Sequence, residues 1–297
     1  MAKPAKIFTF SRVEAYVTPS DETIVEWELN PMFEFSGTRT PIFYIEWSRA
    51  GGEWERINKD FAICNACLYL DEDKRRCGYK SDIFYRVIAF DGDQEYASKP
   101  AATLGDIPLR DKRLARDVVR KEYLRMVKTS AGSLGYLLKK RWCGPKCTSC
   151  VDYDTDEPVS SICSTCYGTG IQKGYYDAIP YWVDLSGGGS NLDVKDNFSL
   201  EDNQSYTARC VAYPRLDTYD IWVHGSSNKR FVVRSIKVAT YVRFVPLVYY
   251  PTDFRLLPRT DIAYTIPLTQ PEGDPVPDGS VDPSEGWRQG IAYDEVF

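Results

Sequence analysis

Pro41-Ile42-Phe43-Tyr44-Ile45-Glu46-Trp47-Ser48 sets Phe43, Ile45 and Trp47 against Tyr44 and Glu46, a two-residue alternation that gives a strand one apolar face. Its β-branched and aromatic residues suit a pleated, half-buried surface. Gly51-Gly52 then supplies a turn before Trp54-Glu55-Arg56-Ile57, so a second strand returns beside the first. Upstream, Thr23-Ile24-Val25-Glu26-Trp27-Glu28-Leu29 has the same character and stops at Pro31. Downstream, Phe84 to Phe90 runs into Asp91-Gly92, a tight-hairpin signal, and Tyr96-Ala97-Ser98 follows. Short strands at this spacing predict an antiparallel β-sandwich over residues 1–105.

The whole chain reads as mostly β and multidomain. At 297 residues it has room for two or three domains, and Tyr (21), Phe (13) and Trp (7) outweigh Met (3), which favours strands. No stretch approaches eighteen uninterrupted apolar residues, so no membrane span is expected. Charge is uneven: residues 1–105 carry 13 Lys+Arg against 17 Asp+Glu, residues 106–146 carry 12 against 4, and residues 147–297 carry 12 against 21. A basic band therefore lies between two acidic parts. It reads either as a solvated helix face balanced by the chain's own acids or as a contact for nucleic acid or an acidic partner.

That band, residues 106–146, is expected to be a basic helical connector. Asp106 is a plausible N-cap with Pro108 in the first turn, and Ala115, Val119, Tyr123 and Met126 share one face of a helix ending near Gly132. Arg113, Arg116, Arg120, Lys121, Arg125 and Lys128 populate the rest of its surface and are the candidate contacts for nucleic acid or a partner. A second short helix is expected from Leu134 to Trp142.

Residues 147–172 carry the sharpest chemical signal. Cys147-Thr148-Ser149-Cys150 and Cys163-Ser164-Thr165-Cys166 are two Cys-x-x-Cys turns separated by a twelve-residue polar loop. Each turn offers two thiolates to one ion, and a short hairpin brings the turns together, which points to a tetrahedral zinc site. Four thiolates leave no position for water, so the zinc is expected to be structural. The alternatives are two disulfides or four free thiols. Disulfides are disfavoured because Met1 to Lys6 is followed by Ile7-Phe8-Thr9-Phe10 with no long apolar run, which predicts no secretory leader. Cys143 is a competing ligand or a free thiol; Cys64, Cys67 and Cys77 read as apolar positions, with a redox pair or second metal as the alternative.

Strand signals resume over residues 173–266, at Tyr181 to Leu185, Tyr206 to Ala212, Asp220 to Val223, Arg230 to Arg234 and Tyr241 to Tyr249, and predict a small β-barrel or sandwich. Gly187-Gly188-Gly189 is a flexible link. Residues 267–297, with Pro267, Pro271, Pro275, Pro277 and Pro283, read as an extended Pro-rich tail, either disordered or laid along a neighbouring subunit. Catalytic motifs are not found: His224, the single histidine, sits in a Gly-Ser-Ser-Asn turn, and no nucleophile elbow, phosphate loop, dinucleotide fingerprint or His-Glu-x-x-His occurs. A non-enzymatic role is expected.

Trp27, the Tyr44 to Ser48 strand with its Gly-Gly turn and Trp54, and Tyr85-Arg86-Val87-x-Ala89 before Asp91-Gly92 resemble a fibronectin type III domain over residues 15–103. Such modules are adhesive or spacing elements. Two further stretches, Leu137 to Trp142 running into the four cysteines with Tyr167-Gly168-Thr169-Gly170, and Asp220 to Val223 with Arg230 to Val238, are similar to head-to-tail neck proteins of tailed bacteriophages. Cys166-Tyr167-Gly168-Thr169-Gly170 also resembles the zinc repeats of DnaJ chaperones, which have more repeats and a J domain that this chain lacks. The neck resemblance implies a structural collar or head-tail connector protein of the virion, assembled in the host cytoplasm as a homo-oligomeric ring beside portal and tail proteins, around a DNA passage. The competing readings are a zinc-ribbon nucleic-acid-binding protein and a host-surface or glycan-binding adhesin module.

Overall fold

The computed structural model describes residues 9–18, 22–30, 42–59, 63–73, 75–76, 82–91, 94–105, 107–129, 131–152, 155, 158–185 and 205–268. The chain is mostly β. Strands β1 (Phe10–Val17), β2 (Thr23–Leu29), β3 (Ile42–Arg49), β4 (Trp54–Arg56), β5 (Ile63–Cys64), β6 (Leu68–Asp71), β7 (Ile83–Asp91), β8 (Gln94–Ala97) and β9 (Ala101–Ala102) build two antiparallel sheets. One has the order β1-β2-β6; the other runs β4-β3-β7-β8, with β5 added to β3 and β9 to β7. The alternation read in β3 turns Phe43 and Ile45 inward, where they meet Val25, Trp27 and Leu29 of the first sheet and Tyr85, Val87 and Ala89 of their own. Trp27 and Phe43 touch across the gap, ring centroids 5.1 Å apart. Tyr85 is fully buried, and its hydroxyl lies 3.0 Å from Asp71 Oδ2 and 3.3 Å from the Arg76 carbonyl, fixing the corner before β7. Gly92 and Cys77 lie outside the described residues.

Helix α1 spans Leu109–Lys128 and buries Ala115, Val119, Tyr123 and Met126, the stripe expected from its periodicity, together with Lys112 and Glu122. It starts after Pro108 without a side-chain cap; Asp106 lies outside the described residues. Asp111 in the first turn and Arg125 and Lys128 in the last complement the helix dipole.

The second expected helix does not form. Ser133–Leu138 is strand β10, hydrogen-bonded on both sides, to β11 (Ile179–Val183) and to β14 (Ile221–His224). Leu137 packs into the core under α1, whereas Tyr136 and Leu138 pack into a separate cluster on the opposite face of the sheet. A strand buried on both faces loses its alternation, and a Leu-rich run then looks helical. Gly135 is what admits it: a Cβ there would lie 2.3 Å from the Val223 carbonyl and 2.6 Å from the Trp222 ring.

The remaining strands are β12 (Ser205–Tyr206), β13 (Cys210–Val211), β15 (Arg230–Val242) and β16 (Val245–Leu256), giving the order β11-β10-β14-β15-β16-β12 with β13 on β16. The basic segment is therefore no free-standing connector: α1 covers this sheet and β10 sits inside it. The physical reason is the apolar stripe of α1, which has to be buried and finds Val211, Leu247 and Phe254. Residues 186–204, including the glycine run, and the tail from 269 onward lie outside the described residues.

The two modules share a packed boundary. Tyr16, Ile24 and Leu104 of the first belong to the same cluster as Val119, Tyr123 and Tyr213 of the second, and Tyr16 stacks on Tyr213 at 4.1 Å. Beside this apolar contact is a buried polar node. Lys139 Nζ lies 3.5 Å from Glu26, 3.0 Å from Asp217 and 3.6 Å from Asp220, and Arg12 reaches Glu26 at 3.3 Å. Tyr16 Oη donates to Glu26 at 2.6 Å and the Arg215 amide donates to Glu26 at 2.9 Å. Glu26 and Asp220 are 0% exposed and Lys139 5%.

Candidate metal centre

The pairing of β10 with β11 continues beyond the two strands: the Tyr176 amide donates to the Lys139 carbonyl at 2.9 Å, Lys140 bridges Tyr175, and the Arg141 amide donates to the Gly174 carbonyl at 2.9 Å. The cysteine loop is thus the long end of one hairpin, and residues 139–143 with 174–177 form its stem. Within the loop the Cys147 amide donates to the Gly170 carbonyl at 2.8 Å and the Val159 amide to the Cys150 carbonyl at 2.8 Å, folding both Cys-x-x-Cys turns onto each other.

The four sulfurs of Cys147, Cys150, Cys163 and Cys166 all lie within 4.8 Å of one another. Cys147 and Cys163 are 3.8 Å apart and Cys150 and Cys166 3.2 Å. A tetrahedron with metal–sulfur bonds of about 2.3 Å has edges of about 3.8 Å, so the spacing fits one ion. It is much too long for sulfur–sulfur bonds of about 2.05 Å, and none of the seven cysteines with described side chains is in a disulfide. Backbone amides of Thr165 and Cys166 point at Cys163 Sγ and bring that thiol down to about 6, favouring the thiolate a metal needs. Amides of Gly168 and Gly170 serve Cys166 in the same way, although burial keeps its thiol above the ordinary value. Gly168 has φ +77°, and a Cβ there would press on the Ser161 carbonyl at 2.9 Å, so the turn around sulfur requires glycine. Cys147 and Cys166 are buried and Cys150 and Cys163 half-buried, with Val151 completing a small cluster in a loop that has little else to hold it.

Cys143 is not one of the four. It packs into the core of the first module, where burial pushes its thiol up to about 11. Cys67 is buried at about 12 by the same cause, consistent with an apolar role. The stem also touches the first module at Asn65, which hydrogen-bonds Asp177, and Arg141 stacks over Tyr176 at 4.5 Å. The cysteine loop therefore grows from a stem that contacts both modules.

The basic residues of α1 fare differently from one another. Arg125 is tied to Glu122 and Asp184, each at 2.8 Å, and Arg209 reaches the same Glu122 at 2.7 Å. Arg116 and Arg120 are half-buried, whereas Arg113, Lys121 and Lys128 are exposed. Asp154, Asp156 and Glu157 of the loop lie outside the described residues. His224 closes β14, and its Nδ1 is engaged by Ser227 at 2.9 Å and Ser226 at 3.2 Å, a turn arrangement. The Glu26–Lys139 node is not visible in sequence; its one signal is an acid, Glu26, inside the apolar run Ile24-Val25-Glu26-Trp27. No helix among the described residues is long and apolar enough to cross a membrane.

No protein-family model matches the sequence, and no curated protein matches it. Among solved structures, one described as "Titin kinase and its flanking domains" is similar over 84% of this chain at 11% identity, with a TM-score of 0.27. This chain spans 37% of that chain, and a likeness at that TM-score carries no argument about fold or function.

Proposed function

We propose that this chain is a non-enzymatic structural component of a phage neck, a head-tail connector or collar protein that assembles as a homo-oligomeric ring in the virion. One observation carries the reading: a four-sulfur cage closes the end of a hairpin whose stem is locked to both β modules. The ion is zinc, and its role is structural. Four thiolates complete the tetrahedron, so the metal has no position at which to activate water and acts as a staple for a loop without a core. The neck resemblance of residues 134–266 supplies the setting, with portal and tail proteins as neighbours and DNA passing through the ring.

The first module is read as fibronectin type III-like. A three-stranded sheet facing a six-stranded one, with the buried corner hydroxyl of Tyr85, supports this. The second is read as a small barrel or sandwich capped by α1. Electron microscopy of particles lacking the protein tests the role directly. Heads without attached tails are expected; particles with normal necks and tails would reject it. Native mass spectrometry of the purified chain should give a closed oligomer with about one zinc per subunit.

A further inference from the structure

Just before the metal loop, a cation and two aromatic rings are held together at the surface. Lys140 Nζ lies 4.1 Å from the Trp142 ring centroid and 4.8 Å from that of Tyr219. The guanidinium of Arg234, on β15, lies 5.0 Å from the Tyr219 centroid. The two rings stand edge to face at 6.5 Å, and remain 39% and 43% exposed. The carboxylate that acts on Lys140, Asp220, is itself engaged by Lys139 and by the backbone amides of Lys140 and Asp217.

The backbone fixes this presentation. Trp142 stands between Arg141, whose amide is bound to the Gly174 carbonyl, and buried Cys143. Tyr219 has φ +71°, a left-handed conformation that a bulky residue rarely adopts, and its amide donates to the Val233 carbonyl at 2.7 Å. A neutral glycan would use the rings and leave the cations idle; a bare polyanion would use the cations and leave the rings idle.

We propose that Lys140, Trp142, Tyr219 and Arg234 form a binding site for an unpaired nucleic-acid strand. A base stacks on an exposed ring while the two cations take the flanking phosphates. A duplex keeps its bases stacked inside and offers the rings nothing. This site is separate from the exposed cations of α1 and does not depend on the neck role.

The test is fluorescence anisotropy of the zinc-loaded full-length protein with labelled dodecathymidylate, with the corresponding duplex and heparin as competitors. Trp142→Ala and Tyr219→Ala should each weaken strand binding by about 5- to 150-fold, the range for losing one stacked base, and Trp142→Phe should restore most of it. Lys140→Gln with Arg234→Gln should reduce the slope of log affinity against log salt by about 1.4, from two phosphates at about 0.7 each. Arg113→Gln with Lys121→Gln should change neither. Zinc content and circular dichroism confirm that each variant is folded. The proposal is overturned if wild-type protein does not bind at about 50 mM salt. It is equally overturned if heparin or duplex competes as well as the strand while both alanine variants bind normally, or if only the α1 pair reduces binding.

Discussion

Lys139 shows how much one side chain can do at a module boundary. Burial opposes its charge, yet Asp220, Glu26 and Asp217 surround it and hold it protonated far above the ordinary lysine value. Glu26 answers from the other module: burial would raise it, and Lys139 and Arg12 overcome that and keep it ionised. Removing one partner of such a buried set leaves uncompensated charge, so Lys139→Met should destabilise the protein by about 3–5 kcal/mol in urea unfolding. A loss below about 1 kcal/mol, the range of exposed pairs, would contradict this account of the node.

Asp220 gives the node a pH signature. Burial raises its carboxyl to about 6, with Asp217 adding to the rise and Lys139 opposing it. Its unfolded value is about 3.9, so between about pH 4 and pH 6 the native state keeps a proton that the unfolded chain has lost, and this contribution to stability falls as pH rises. Glu26 and Asp217, held below their ordinary values, act in the opposite sense, and their contribution is lost as pH falls through their folded values. Asp220→Asn should remove the first effect only. Urea midpoints across that window should then rise more, or fall less, with pH in the variant than in wild type, and identical profiles would refute the assignment. Little of this is legible in sequence, because the three residues are distant in the chain; Lys139 and Asp220 look like ordinary surface charges, and only Glu26, inside an apolar run, hints at burial. The four cysteines are legible because two Cys-x-x-Cys turns are a pattern that the sequence displays directly.

At the scale of elements, legibility follows burial geometry. Strand β3 has one face in a core and keeps its alternation; α1 has one buried stripe, and Ala115, Val119, Tyr123 and Met126 announce it. Strand β10 is covered on both faces, so its period vanishes and the run reads as a helix instead. Gly135 is the discriminating residue, since a helix has no use for it and the crossing with β14 does. Gly135→Ala places a methyl group 2.3 Å from a backbone oxygen that cannot swing away. Overpacking of this kind costs about 1–3 kcal/mol or more, to be read as a lower thermal midpoint. If the variant gained stability, as a glycine-to-alanine change in a helix does, the strand assignment would be wrong.

For the whole molecule, sequence patterning marks strands on either side of a cysteine hairpin, but it does not show that the sheets share a core or that the hairpin stem joins them. Those facts rest on pairs such as Tyr16 with Tyr213 and Asn65 with Asp177, which no local pattern encodes. If the stem is the joint, stripping the ion should loosen more than the loop. Hydrogen exchange after chelation should accelerate at the stem amides of Arg141 and Tyr176 and at Asp177 beside Asn65, while the β3–β7 ladder stays protected. Acceleration confined to residues 147–172 would mean that the loop is an independent appendage.

The central claim is that a saturated sulfur cage clamps this hairpin and serves as a staple. X-ray absorption at the zinc edge of the purified, zinc-loaded protein measures that shell directly. The account predicts four sulfurs at about 2.3 Å and no lighter ligand. A shell with an oxygen or nitrogen ligand, or protein that takes up no zinc with its thiols joined as disulfides, would contradict it.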